Sequence, residues 1–174
     1  PNQIYDRIPG KGAKVRDLQQ PILFDSWLDS VGTDSPFFAY FLLDAPHEPY
    51  SYPKEFVKFE PSVNEINYMS LDKHKDMEPF YNHYKNAVNF SDHVTGQFLQ
   101  VIEKRDLFKN SIIIITSDHG AEFYEHGFWG HNSAFTKEQV MAPFIIYVPG
   151  QKPKKIESLT SHLDIAPTLL ELLG

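Results

Sequence analysis

The chain has 174 residues, with 16 basic and 23 acidic side chains and a net charge of -7. This charge argues against a nucleic-acid backbone as a partner, and no basic stripe is present. No apolar stretch approaches the roughly 18 residues of a transmembrane helix, so no membrane span is expected in the chain itself. The length suits one domain over residues 1–174, with room for a hydrophobic core.

The first apolar run covers residues 36–43 and ends in Asp44 and His47. A helical pattern over residues 79–104 follows it, with apolar side chains at three- and four-residue steps and a proline near its start. A second apolar run comes next. The order strand, helix, strand predicts a βαβ unit, in which the two strands are parallel and the crossover is right-handed.

The second run, residues 111–117, is rich in β-branched side chains without polar alternation. This pattern predicts a strand that is buried on both faces. The run ends in Asp118, His119 and Gly120. A carboxylate and an imidazole at a strand end offer one oxygen and one nitrogen ligand, which suits a divalent metal ion, whereas the alternative is a solvated polar turn.

The remaining elements follow the metal motif. A segment with glycines, aromatic residues and the histidines His126 and His131 predicts an ordered loop over the strand ends. Residues 142–148 predict another buried strand, parallel to those at residues 36–43 and 111–117. Ser161 and Asp164 have capping-box spacing before a predicted helix at residues 164–173, and Gly174 suits its end.

Both predicted strands of the βαβ unit carry Asp and His residues to the same edge of the sheet. Neighbouring strands lie only about 4.8 Å apart, so side chains at their ends can share one site. We therefore expect His47, Asp118, His119 and His131 to lie together at the carboxyl edge of the sheet.

The order of these motifs resembles the sulfatase branch of the alkaline-phosphatase superfamily. The resemblance lies in Asp118 to Gly120, Trp129 to His131, residues 142–150 and residues 163–170. It is strongest to bacterial inner-membrane sulfatase-like proteins, a group that includes lipoteichoic-acid synthases and phosphoglycerol transferases. The resemblance implies an α/β fold with a mostly parallel sheet and helices on both faces.

The resemblance also implies roles for the four site residues. Asp118 and His119 match the metal-ligand pair after the central strand, for Mn, Zn, Mg or Ca. His47 matches the histidine that faces the ester group, and His131 matches a second substrate-facing or metal-binding side chain. Sulfatases usually carry Asn where this chain has His119, which favours the phosphatase and phosphoglycerol-transferase side of the superfamily.

Members of this superfamily carry their nucleophile and another acidic ligand in an N-terminal portion that has no match here. The chain has no Cys, so formylglycine cannot form within it. We therefore expect a C-terminal portion of a larger catalytic domain, incomplete at its N-terminal side, which alone binds metal weakly and does not hydrolyse esters. Thr116, Ser117 and Ser133 are interpreted as hydrogen-bond partners rather than replacement nucleophiles.

Two hypotheses for the function follow. The first is a metal-dependent sulfatase-like hydrolase or phosphoglycerol transferase that acts on sulfate or phosphate esters, in a membrane-anchored protein on the periplasmic side of a bacterial inner membrane. The alternative is a non-catalytic envelope regulator that uses the same crevice to bind a lipid or partner. Sequence alone does not separate them, because the nucleophile lies outside the chain.

Other segments have simpler interpretations. Residues 51–77 predict a loop or short-helix region near the site mouth. Residues 151–157 predict a solvated basic turn, with an anionic lipid head group as the alternative. Glu122 is interpreted as a helix N-cap rather than a neighbour of the metal. For the remaining histidines we expect surface positions or, at His126 and His162, supporting hydrogen bonds; the surface set is His74, His83 and His93.

Overall fold

The computed structural model describes residues 8–63, 72 and 75–174. Its helices and strands in chain order are α1 Ala13–Val31, α2 Met77–Lys104, β1 Ile113–Thr116, β2 Glu122–Phe123, β3 Trp129–Gly130, α3 Lys137–Val140, β4 Phe144–Tyr147 and α4 Ile165–Leu173. Short 3-10 turns cover Lys54–Phe56, Leu107–Lys109 and His162–Asp164. Within these described ranges, no helix is long and apolar enough to cross a bilayer.

Helix α1 has no counterpart among the predicted elements. Its apolar residues form no continuous stripe, and Pro21 lies inside it, where a proline normally disfavours a helix. Tertiary packing compensates for this, because Phe24 and Leu28 are buried against Phe90 and Val94 of α2. The resulting cluster forms the first hydrophobic core.

Helix α2 confirms the helix predicted at residues 79–104, with two more residues at its start. Its buried face also carries Phe80 and Ala87, which pack with Tyr50 and Phe123 in a second core. One helix therefore supports both halves of the described structure.

The two strands expected at residues 111–117 and 142–148 are present as β1 and β4, but their direction is not the one expected. They pair antiparallel, with Ile113 opposite Tyr147 and Thr116 opposite Phe144. The connection between them holds the β2–β3 hairpin and the short helix α3 rather than a long crossover helix, so nothing in it requires parallel pairing. The expectation of burial on both faces is also wrong, since both strands are only partly covered.

The strand expected at residues 36–43 is not formed. This segment has no regular secondary structure and no hydrogen-bonded strand partner in the described part of the chain, so the predicted parallel βαβ pairing is absent there. Its aromatic side chains instead pack on helix α1, with ring centroids of Phe37 and Phe41 at 6.4 and 5.0 Å from that of Phe24.

The end of the chain follows the sequence closely. Ser161 and Asp164 form the predicted capping box, since the Leu163 amide donates to Ser161 Oγ at 3.2 Å and the Ser161 amide donates to Asp164 Oδ2 at 2.7 Å. The helix α4 ends at Leu173, as predicted, and Gly174 follows with a positive φ of 85°.

Candidate active site

The structure brings the four predicted site residues together. The rings of His119 and His131 stack with centroids 4.0 Å apart, and the His47 ring lies 6.4 Å from that of His131. Asp118 joins the group, with Oδ2 at 3.7 Å from Nε2 of His119. The segments that follow residues 36–43 and strand β1 therefore meet at one place, although no strand ladder joins them directly.

The backbone fixes the orientation of the His119 ring. His119 Nδ1 lies 2.7 Å from the carbonyl oxygen of Gly120, and a carbonyl only accepts, so this nitrogen carries the proton. In the neutral form of the ring, the lone pair is therefore on Nε2. The Asp118 side chain is 84% exposed and its Oδ1 accepts from the His119 amide at 3.1 Å, which leaves Oδ2 available for a ligand.

His47 shares this ring arrangement. Its Nδ1 donates to the carbonyl of Glu48 at 2.8 Å, and the ring is exposed at the protein surface. The residue lies in a tight turn in which the His47 amide donates to Asp44 O at 3.2 Å and the Tyr50 amide donates to His47 O at 2.8 Å. The free nitrogen of His47 is therefore Nε2, as in His119.

A buried carboxylate of helix α1 holds the turn that carries His47. Asp17 is 1% exposed and accepts hydrogen bonds from the amide of Asp44 at 3.0 Å, the amide of Ala45 at 2.8 Å and Gln20 Nε2 at 3.2 Å. Burial is the larger influence and raises the pKa of Asp17, while the amides of Asp44 and Ala45 lower it in part. No sequence signal marked this residue.

Two cavities adjoin helix α1. One of about 250 Å³ opens beside His47, and its wall contains an ion pair between Arg16 and Asp44. A slightly larger one, about 290 Å³, lies between α1 and α2 and is lined by Pro21 and Gln97 rather than by any of the four site residues. Only the cavity beside His47 adjoins the candidate chemistry.

Glu122 anchors the loop that carries His131, which corrects its interpretation as a helix cap. It lies in β2, is fully buried and accepts from Thr136 Oγ1 at 2.7 Å, from Gln139 Nε2 at 3.0 Å and from the amides of His126 and Phe128. Burial alone raises the pKa of Glu122, but these hydrogen bonds outweigh it and bring the pKa to about 2. The carboxylate is therefore a structural anchor and stays charged.

Gly120 shows why the motif after β1 ends in glycine. Its amide donates to the carbonyl of Gln139 at 2.9 Å, and a Cβ at this position would lie 2.0 Å from the carbonyl oxygen of Glu138. The backbones of the two segments approach too closely for any side chain. This contact places the end of helix α3 against the segment Asp118 to Gly120.

The surface positions predicted for the other histidines are confirmed for one residue and wrong for another. His83 is buried, at 7% exposure, so its predicted surface position is wrong; it lies between Tyr52 and the carbonyl of Pro49. His93 is exposed as predicted, whereas His74 lies outside the described residues, as does the part of residues 51–77 covering 64–71 and 73.

Four of the side chains that were expected to make structural hydrogen bonds do so. His162 Nε2 lies 3.2 Å from Thr116 Oγ1, which also donates to the Pro143 carbonyl at 2.8 Å. Ser133 Oγ accepts from Gln139 at 2.9 Å. His126 Nε2 lies 2.8 Å from a carboxylate oxygen of Glu138, so its partner is that acid.

Sequence reasoning identified the side chains that face the site but missed those that hold them. Asp17, Glu48 and Gln139 carry no motif of their own, and their partners are distant in sequence. Trp129 lies in one of the sequence motifs that carry the family resemblance, but its contact with Glu48 was not predicted.

Comparison with known proteins places this geometry in context. The Sulfatase family profile matches residues 17–174. Mouse (Mus musculus) arylsulfatase K is 28% identical over 210 aligned residues, which cover 98% of this chain and 38% of that protein. A lipoteichoic acid synthase-like protein of Bacillus subtilis is 25% identical over 80% of this chain and 22% of its own length.

A solved structure supports the same assignment. A sulfatase of Bacteroides thetaiotaomicron, from work on glycosaminoglycan metabolism, superposes with a TM-score of 0.71 and 27% identity over 90% of this chain and 35% of the other. The likeness confirms the expected α/β, alkaline-phosphatase-like fold. The chain thus spans well under half the length of the relatives it matches, and over that span it belongs to the sulfatase family.

Proposed function

We propose that this chain forms one wall of the active site of a metal-dependent enzyme that hydrolyses or transfers a sulfate or phosphate ester. The observation that carries the proposal is the convergence of His47, His119 and His131 beside Asp118. Three imidazoles and a carboxylate at one place combine ligands for a cation with donors for an anionic ester.

Asp118 and His119 fit a divalent metal ion. A tetrahedral ion with bonds of about 2.1 Å holds two donor atoms about 3.4 Å apart. The observed separation of 3.7 Å between Asp118 Oδ2 and His119 Nε2 is close to this value. The hydrogen bond from His119 Nδ1 to Gly120 O leaves Nε2 as the ligand atom, and such a bond typically orients a metal-binding histidine.

The rest of the ligand set is expected from other parts of the sulfatase domain. Among the described residues, no third His, Cys, Asp or Glu side chain joins Asp118 and His119 closely enough to hold the same metal ion. A bound Mn, Zn, Mg or Ca ion would supply Lewis-acid stabilisation of the ester oxygens and lower the pKa of a hydroxyl nucleophile. We place that nucleophile outside this chain, as the family resemblance implies.

His47 and His131 act on the ester. Because Nδ1 of His47 is held by the Glu48 carbonyl, its Nε2 is the atom that faces substrate, and in the protonated ring it donates to a non-bridging or leaving-group oxygen. His131 lies between the other two rings and donates to the same ester group or joins the metal ligands. The cavity beside His47 gives the leaving group room.

The choice between sulfate and phosphate is a finer proposal. Relatives named as sulfatases support a sulfate ester, while the lipoteichoic acid synthase-like relative supports phosphoglycerol transfer. His119, where sulfatases usually carry Asn, leads us to favour a phosphate ester, with a lipid head group as one form of it. We infer on the same grounds a membrane-anchored protein with this domain on the periplasmic side of a bacterial inner membrane.

The test uses the full-length protein with an aryl sulfate, an aryl phosphate and phosphatidylglycerol as substrates, each with Mn, Zn, Mg and Ca. Asp118→Asn and His119→Ala should lose metal binding and turnover together. His47→Ala should keep the metal and lower kcat by roughly 10²- to 10³-fold. His131→Ala should lower kcat to a similar degree, and the metal content of this variant separates a donor to the ester from a metal ligand. The matched control is His93→Ala, an exposed histidine on helix α2.

Two results would contradict the proposal. Turnover that survives His119→Ala would place the metal elsewhere. Binding of lipid without turnover of any substrate, unchanged by His47→Ala, would favour the non-catalytic envelope regulator. Protease protection of the domain in intact cells, lost on outer-membrane permeabilisation, would support the periplasmic location.

A further inference from the structure

A side-chain hydrogen bond joins the two loops that carry His47 and His131. Glu48 directly follows His47, and Trp129 lies two residues before His131. The indole Nε1 of Trp129 donates to Glu48 Oε1 at 2.9 Å, between residues 81 positions apart in the sequence. The acceptor is a carboxylate, and hydrogen bonds to charged acceptors are about twice as strong as neutral ones.

The Trp129 end of this bond is fixed by packing. The indole ring lies 4.0 Å from the ring of Phe80 on helix α2 and 5.2 Å from that of Phe123 on β2. Packing against these rings holds the indole in place and so sets the direction of its N–H. That direction leads to Glu48.

The Glu48 end is fixed by a neighbour in the same core. The hydroxyl of Tyr50 donates to Glu48 Oε1 at 3.4 Å, and the buried Tyr50 ring lies 5.6 Å from Phe80. Both loops therefore rest on the same aromatic side chain of α2. The Glu48 carboxylate links the two loops through its hydrogen bond with Trp129.

The backbone before His131 also lies against this carboxylate. Gly130 has a φ of 74°, and a Cβ added to it would lie 3.9 Å from Glu48 Oε1. The carboxylate is thus positioned next to the backbone bond that leads into His131. A shift of Glu48 moves one or both histidine loops.

We propose that Glu48 and Trp129 are positioning residues that set the distance between His47 and His131 in the active site. The inference rests on the proposed function, since it assigns the pair a role in holding the two ester-facing rings. Catalysis is sensitive to such placement, because a displacement of about 1 Å at a reacting group can cost as much as 10²-fold in rate.

The first experiment needs no turnover. The two tryptophans of the chain, Trp27 and Trp129, are compared by ¹⁵N indole NMR of the full-length protein, with the Trp129 signal assigned by its loss in Trp129→Phe. Within the described structure, Trp27 Nε1 is buried without a hydrogen-bond partner, so its signal is the internal reference. Glu48→Ala should shift the Trp129 signal and the imidazole signals of His47 and His131, and leave Trp27 unchanged.

The conservative variant separates positioning from general stability. Glu48→Gln keeps an acceptor oxygen, so it should retain most of the indole shift and the histidine signals that Glu48→Ala loses. Unchanged histidine signals in Glu48→Ala, with a shifted indole, would overturn the positioning role. An unshifted indole would overturn the bond itself.

The second experiment measures turnover. Glu48→Ala and Trp129→Phe should each lower kcat about tenfold with little change in KM, and the double variant should be no worse than either alone, because both remove the same bond. Trp27→Phe is the matched control and should leave kcat unchanged. Additive losses in the double variant would overturn the proposal.

The two experiments keep the inference apart from the function on which it rests. If no substrate is turned over, the active-site proposal fails, while the NMR result still decides whether the bond positions the two histidines. If turnover depends on His131 but not on Glu48 or Trp129, the enzyme stands and this inference falls.

Discussion

Replacing Asp17 with Ala should destabilise the protein and loosen the turn that carries His47. Two backbone amides, those of Asp44 and Ala45, lose their acceptor. A buried donor left without a partner costs about 1–3 kcal/mol. Ala45 is fully buried, whereas the Asp44 side chain is 44% exposed and water can reach its amide, so we expect a total loss of about 3 kcal/mol.

Asp17→Asn is the matched control. Its amide oxygen can take the place of Oδ2, which accepts from both backbone amides, so these bonds are kept. Its NH₂ group replaces Oδ1, which accepts from Gln20 at 3.2 Å, so that bond is lost. The expected cost is about 1 kcal/mol, near that of one ordinary hydrogen bond.

The pH dependence of the free energy of unfolding separates the effect of the Asp17 charge from the effect of its hydrogen bonds. Because burial raises the pKa of Asp17 above its ordinary value of 3.8, the group favours the folded state most below pH 3.8, and this contribution is lost as the pH rises through the folded-state pKa. Asn does not titrate. The stability difference between the wild type and Asp17→Asn should therefore be larger near pH 3.8 than at pH 7.

Urea unfolding at both pH values measures these differences, and hydrogen exchange at the amides of Asp44 and Ala45 reports on the turn. If Asp17→Ala unfolds within 1 kcal/mol of Asp17→Asn at pH 7, the amides have other partners and the reasoning is wrong.

Three further changes test separate contacts. Gly120→Ala puts a methyl group 2.0 Å from the Glu138 carbonyl oxygen and should lower Tm by several degrees. The control is Gly96→Ala, whose methyl group meets nothing within 4 Å and should not lower Tm. Equal effects of the two substitutions would contradict the close approach. Glu122→Gln should speed amide exchange in the loop that Glu122 anchors. It should also remove the loss of stability that is expected as the pH falls from 4.5 to about 2. An unchanged dependence of stability on acid pH would contradict the anchoring role of Glu122. Burial lowers the pKa of His83 from 6.5, so stability should fall as the pH drops below 6.5, and His83→Gln should lack this slope in urea unfolding across that range.

Local patterns predicted the elements that local chemistry determines. The periodicity of residues 79–104 corresponds to α2, and the spacing of Ser161 and Asp164 corresponds to a capping box. Helix α1 was missed because Phe24 and Leu28 are buried by partners on α2 rather than by a stripe visible in the sequence.

The partner and direction of each strand could not be predicted from local sequence patterns. The apolar run at β1 predicts a strand, but its neighbour and direction depend on contacts with residues about 30 positions away. The assumption that a helical crossover makes residues 36–43 its parallel partner has no support in the described structure. The antiparallel pairing with β4 uses the same β-branched side chains equally well.

The candidate site shows the same difference between local sequence patterns and long-range contacts. The convergence of His47, Asp118, His119 and His131 was predicted from two neighbouring parallel strands. These residues do come together, although that strand pairing is absent from the described structure. The residues that hold them were hidden because their partners are far apart in sequence, such as Glu48 and Trp129. Glu122 was misinterpreted because the sequence near Asp118 and His119 does not distinguish a carboxylate that caps a helix from one that anchors a loop.

The two-stranded β1–β4 sheet has a practical consequence for work with this chain alone. Phe144 and Ile145 of β4 are 43% and 60% exposed, and Leu163, in the turn before α4, is 86% exposed. Short strands with uncovered apolar side chains are templates for association between molecules. A sample of the isolated chain should therefore self-associate as its concentration rises, and light scattering should detect this before any change in its helix content.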